Sequence, residues 1–105
     1  MKDSISVSET TFEEVLVQAE LIFEKMDASD IIRTRTLALL QSASKKGLLE
    51  SCTPDGGAAG AIYIACILEK LNVTQNFLSE SSGISTSSIR KHYMLLARGL
   101  NLYRN

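Results

Sequence analysis

An all-α fold is predicted by three features of the chain: apolar residues recurring at three- and four-residue spacing, helix-start signals ahead of successive segments, and one central segment apolar on every face. The length, 105 residues, fits one domain. A domain of this size buries only about 65% of the surface its unfolded chain exposes, which leaves little mass for a catalytic cleft. The longest apolar stretch, Gly57 to Leu68, is shorter than the roughly 20 residues a membrane-spanning helix needs. Residues 1–8 are polar, are expected to be disordered and lack the pattern of a secretory leader, so a soluble cytoplasmic or nuclear protein is expected. Cys52 and Cys66 form no CxxC pair and His92 is the one histidine, so neither a closed metal site nor a disulfide framework is expected.

The first helix is expected to start near Thr11. Phe12, Val15, Leu16, Ala19, Ile22, Phe23 and Met26 fall on one face, and Thr10 with Glu13 or Thr11 with Glu14 fits a capping box. Ser29 is the expected cap of a second helix with the stripe Ile32, Thr36, Leu39, Leu40 and Ala43. Lys45 and Lys46 suit its negative end, and Gly47 stops it. Thr53-Pro54-Asp55 reads as a third start, with Pro54 at the first helical position and Asp55 facing the positive pole. The helix that follows is apolar all round and is expected to be the hub of the fold. Gly56, Gly57 and Gly60 make sense there if neighbouring helices approach closely. Their sequence is not a phosphate-binding loop, because GGAAG lacks the lysine and hydroxyl residue such loops need.

The last third reads as a helix-turn-helix over residues 74–98. Thr74 caps a short helix, Gly83 supplies a left-handed turn residue, Ile84 plugs the corner and Ser85 caps the final helix. In that helix Ile89, Tyr93, Leu96 and Leu100 face the core, while Ser87, Arg90, Lys91 and Met94 share another face. The net charge of −1 conceals an asymmetry. Residues 1–30 hold eight acids against Lys2 and Lys25, a balance of −6, and the rest of the chain carries +5. Such a chain can present its basic end to phosphate while staying near neutral overall.

Two blocks resemble the second cyclin-like repeat of the general transcription factor IIB and archaeal transcription factor B family. One is Thr53-Pro54-Asp55-Gly56-Gly57-Ala58-Ala59-Gly60-Ala61-Ile62-Tyr63-Ile64-Ala65. The other is Thr74-Gln75 followed by Gly83-Ile84, Ser88-Ile89-Arg90 and Tyr93, and Leu37 to Leu49 is also similar to the family's second helix. The resemblance implies a five-helix cyclin-like repeat over residues 9–105. It also implies a final helix that enters the major groove of promoter duplex DNA, with the TATA-binding protein as partner. Ser87 and Arg90 stand at the matching base-contact positions, with Thr86 and Lys91 beside them. An arginine can donate two hydrogen bonds to guanine, whereas lysine and hydroxyls more often hold phosphate. Four positions depart from the family pattern. Ser87 replaces a valine, Cys52 stands where a basic residue often lies, and Asn72-Val73 replaces basic residues, so weaker and less salt-dependent binding is expected.

The chain shows no zinc ribbon, polymerase linker or first repeat, so it is expected to be an isolated C-terminal domain or a short stand-alone relative, in an archaeal cytoplasm or a nucleus. A lone repeat could also form a homodimer that imitates the family's paired repeats. The competing reading is an interaction module without DNA binding, docking through its acidic first helix or small-residue hub. An enzyme is the least supported reading. His92 lacks an orienting carboxylate and is taken as a solvent-facing or boundary residue, Cys66 as a core residue, and Tyr63 as packed with its hydroxyl at the core boundary. No cofactor is expected.

Overall fold

The computed structural model describes residues 10–102, so the reading of residues 1–8 lies outside the described part. Five helices follow one another: α1 (Phe12–Met26), α2 (Asp30–Lys45), α3 (Pro54–Leu68), α4 (Gln75–Ser82) and α5 (Thr86–Gly99), with a 3-10 turn at Leu48–Ser51 between α2 and α3. Among the described residues no helix is long and apolar enough to cross a membrane.

The start signals act as their chemistry requires. The Thr11 hydroxyl accepts from the Glu14 amide at 3.2 Å while the Glu14 carboxylate accepts from the Thr11 amide at 2.9 Å, which closes the capping box and satisfies two N–H groups at the start of α1. Thr53, Thr74 and Ser85 cap α3, α4 and α5 in the same way, each accepting from the amide three residues on. Ser29 differs: it stands at the cap position of α2 without a side-chain bond, and Asp30 supplies the negative charge of that first turn. Lys46 reaches another helix end, donating to the Gly99 carbonyl at 3.3 Å at the close of α5.

The core is one cluster in which α3 is the hub, packed by α1, α2, α4 and α5. Phe23, Ile32, Leu40, Ile62, Leu78, Ile89 and Leu96 are fully buried, each stabilising the fold by about 1.5 to 3 kcal/mol relative to exposure. The all-round burial expected of α3 holds for most of its length. It fails at the last turn, where Ile67 and Leu68 are exposed.

Gly56 and Gly60 of α3 serve the approach of α5, whereas Gly57 faces Cys52 and Val15. A Cβ on Gly56 would overlap the imidazole of His92, and one on Gly60 would lie 2.9 Å from the Tyr93 backbone nitrogen. Glycine costs a helix about 1 kcal/mol relative to alanine, a price the contact with α5 must exceed. Thr36 lies fully buried on α2 with a hydroxyl that has no hydrogen-bond partner among the described residues. Gly60→Ala is expected to lower the thermal midpoint by about 5 to 10 °C, because forced separation of α3 and α5 outweighs the gain in helix propensity. Thr36→Val is expected to raise it by a few degrees, since a buried unpaired hydroxyl costs roughly 1 kcal/mol or more. Circular-dichroism melts of the two variants check both signs.

Candidate nucleic-acid interface

α4 and α5 meet at a corner built by three residues. Gly83 ends α4 in the left-handed conformation at φ 80°, Ile84 is buried beneath the turn, and the Ser85 hydroxyl receives the Ser88 amide at 3.1 Å. Left-handed backbone is easy for glycine and costly for side chains with a Cβ, which is why the corner falls there.

Ser87, Arg90 and Lys91 are exposed on α5 and Thr86 is half-buried. Of these four, the structure brings Thr86 and Arg90 together. Both line an open groove of about 400 Å³ walled by Tyr63, Val73 and the first turn of α4. Lys91 leaves on another flank, since consecutive helical residues point about 100° apart. Its ammonium lies near Cys52, where its charge partly opposes the rise that burial imposes on the thiol's pKa. Ser87 stands outward between Arg90 and Lys91 on the helix surface, and Met94 is half-buried.

Among the described residues that line the groove, Arg90 is the one that carries a charge. None of the lining residues is acidic, and the amides of Gln75 and Asn76 open α4 at the groove's mouth. Helices α1, α2 and α3 carry Glu13 and Glu14, Asp30, and Asp55 in their first turns, whereas α4 and α5 carry no acid there. The positive ends of these two helices therefore carry hydroxyl caps but no carboxylate in the first turn, and both border the groove that Arg90 lines.

His92 is the largest departure from the sequence reading, being only 3% exposed rather than solvent-facing or at the boundary. Its Nε2 accepts the Thr53 amide at 3.2 Å and its Nδ1 lies 2.7 Å from the Ser88 carbonyl. A backbone N–H can only donate and a carbonyl can only accept, so these two contacts pair with the tautomer that carries its proton on Nδ1. The imidazole thereby ties α5 to the start of α3. The spacing contained this signal: Ile89, His92 and Leu96 follow a three-then-four rhythm that puts the histidine on the core face. Cys66 is buried as expected, and burial raises its thiol pKa. Tyr63 is half-buried and meets Tyr93 edge-on at 4.9 Å, joining α3 to α5 beside the groove. The lining residues from Val73 to Asn76 were not identified as a binding wall from sequence, although Thr74-Gln75 belongs to the block that carried the resemblance.

Residues 8–99 match the transcription factor TFIIB repeat. The chain belongs to the TFIIB family. Its five helices are the all-α, cyclin-like repeat of that family. Among similar proteins, the transcription initiation factor IIB of Methanococcus maripaludis strain C5 is 35% identical over 71 residues, which is 68% of this chain and 21% of that protein. The transcription initiation factor IIB of Pyrobaculum islandicum is 33% identical over 81 residues, 77% of this chain and 24% of that protein. That of Methanothermococcus thermolithotrophicus is 34% identical over 71 residues, again 68% and 21%. The chain thus spans under a quarter of the length of these TFIIB relatives.

His92→Leu fills the slot with a side chain of similar size but takes the acceptor from the part-buried Thr53 amide. It is expected to lower unfolding stability by about 1 to 3 kcal/mol, with the urea m-value unchanged. Chemical denaturation checks this.

Proposed function

We propose that the chain is the DNA-binding core domain of a TFIIB-type transcription initiation factor, with α5 laid in the major groove of promoter duplex DNA. The observation that carries this reading is Arg90, exposed near the start of α5 beside a groove bordered by two helix N-termini whose first turns hold no acid. A guanidinium at that place has the reach and planarity to donate two hydrogen bonds to a guanine edge. Ser87 and Thr86 sit one turn earlier, where a hydroxyl can meet a base or a phosphate oxygen. Lys91, on the other flank, suits the opposite phosphate strand and fixes register without reading sequence. The helix-turn-helix over residues 74–98 is the reading element of a domain reaching from residue 9 to the end of the chain.

Membership of the TFIIB family supports a role beside the TATA-binding protein, with the domain binding next to the bent promoter. The relatives are named for transcription initiation, which favours a binding protein over an enzyme.

Arg90→Ala is expected to weaken binding to a promoter duplex by roughly tenfold and to relax preference at one base pair. Lys91→Ala is expected to weaken binding evenly across sequences and to make the slope of log K against log salt shallower by about one. Fluorescence anisotropy with wild type and both variants, at several salt concentrations, tests the assignment. Equal binding by wild type and Arg90→Ala would falsify it.

A further inference from the structure

The outer face of α1 takes no part in the core or in the groove at Arg90. Val17 is 59% exposed and Leu21, one turn later, is 48% exposed, although the inward face is already filled by Val15, Ala19, Ile22 and Phe23. A β-branched residue on the solvent side of a helix is disfavoured by propensity and gains nothing from burial, and Val17 stands there beside Leu21 as a small apolar patch. Glu13, Glu20 and Glu24 are exposed along one edge of the pair, Glu20 lying 3.7 Å from the Arg33 guanidinium. At 3.6 residues per turn the five residues occupy a stripe about 100° wide and roughly three turns long.

We propose that this stripe docks a basic amphipathic helix of a protein partner, whose apolar residues cover Val17 and Leu21 while its lysines or arginines meet Glu13 and Glu24. Charge complementarity selects that occupant. Carboxylates along the stripe favour basic side chains laid directly on them and disfavour acidic segments and DNA. A helix laid in such a place contributes anchors at three- and four-residue spacing, which matches Val17 and Leu21. Residues 1–9 do not supply the complementary charge, because Lys2 is opposed by Asp3 and Glu9. The basic surface of a second copy would be α5 around Arg90 and Lys91, which the proposed function assigns to DNA. Because α1 packs on α2, α3 and α4 rather than on α5, the stripe stays open when α5 is engaged. The inference therefore stands apart from the DNA-binding reading.

The test titrates the isotope-labelled full chain with a synthetic helix of about 18 residues carrying leucines on one face flanked by lysine and arginine, and with a scrambled peptide of the same composition. The expected result is amide shifts confined to α1 and roughly tenfold weaker binding by the scrambled peptide or by the Val17→Ser/Leu21→Ser chain. Glu13→Gln/Glu24→Gln should weaken binding and flatten its salt dependence. All these side chains are exposed, so unchanged melting curves show that each variant folds. Equal binding by both peptides, shifts centred on Ile67, Leu68 and Leu102, or peptide-free self-association abolished by Val17→Ser/Leu21→Ser each overturns the proposal. Added promoter duplex should leave the peptide bound, and its displacement by DNA counts against a separate surface. A chain that binds the peptide but no DNA would refute the proposed function and leave this inference intact.

Discussion

The crossing of α5 over α3 is the contact on which the rest of the molecule depends. Gly56 and Gly60 stand four residues apart on one side of α3, and their missing side chains let the His92 ring and the Tyr93 backbone rest against the helix. Interiors reach crystal-like density only where surfaces fit, and in a small domain one tight crossing supplies much of that fit. Here it also sets an angle. The His92 bond to the Thr53 amide is lost if α5 turns about its own axis, and the same turn would carry Arg90 away from the groove. The Tyr63–Tyr93 contact holds the neighbouring side of the same crossing. A packing constraint in the core thus becomes an orientation at the surface.

Charge is distributed to agree with that orientation. Acids fill the first turns of α1, α2 and α3, while the two helices at the corner leave theirs empty. At the far end of α5, Lys46 on the Gly99 carbonyl answers the negative pole. Arg35 donates two bonds to one Glu69 oxygen, at 2.9 and 2.6 Å, and so ties α2 to the end of α3. Arg33 stacks 5.3 Å from the centre of the Phe23 ring and donates to the Ala28 carbonyl, joining the turn between α1 and α2. Several of the positive charges outside α5 are thus engaged in holding helices together. The contrast between an acidic α1 and the acid-free first turns of α4 and α5 is a property of the folded domain that the overall charge of −1 conceals.

Element boundaries were legible because each helix opens on a side chain that can accept an amide hydrogen and closes where its pattern breaks. Thr11, Thr53, Thr74 and Ser85 all cap as their chemistry suggests, and Gly47 and Gly83 both take positive φ. The core stripe of α2 was legible for the same reason, down to Thr36, whose hydroxyl sits uncomfortably in it. What periodicity could not supply was partnership between distant segments. That His92 would meet Thr53, 39 residues away, follows from the crossing angle of two helices and not from either segment alone. The divergence of Arg90 and Lys91 and the groove shared by α4 and Tyr63 are hidden in the same way. The exposed end of α3 was missed because an apolar run shows that burial is favourable, not that a neighbour exists to provide it.

The departures from the family pattern gain physical content once placed in the fold. Cys52, where a basic residue often stands, is buried with its thiol 3.6 Å from the Leu48 carbonyl and its Cβ close to Gly57, so the position has been drawn into the core. Val73, in the other substituted pair, lines the groove beside Arg90 without adding charge. A serine at position 87 can donate to or accept from any base, whereas a methyl group favours thymine, so the change removes discrimination more than contact. On the proposed function, affinity for duplex rests on one arginine, one lysine and two helix ends. Such a grip is weak at physiological salt, because each phosphate left uncontacted forgoes its share of counterion release. A domain of that kind gains selectivity when a second contact raises its local concentration at the promoter. Two modest surfaces used together can exceed either affinity by orders of magnitude, provided both engage at once. The placement of the α1 stripe away from α5 meets that geometric condition, since neither partner need leave for the other to bind.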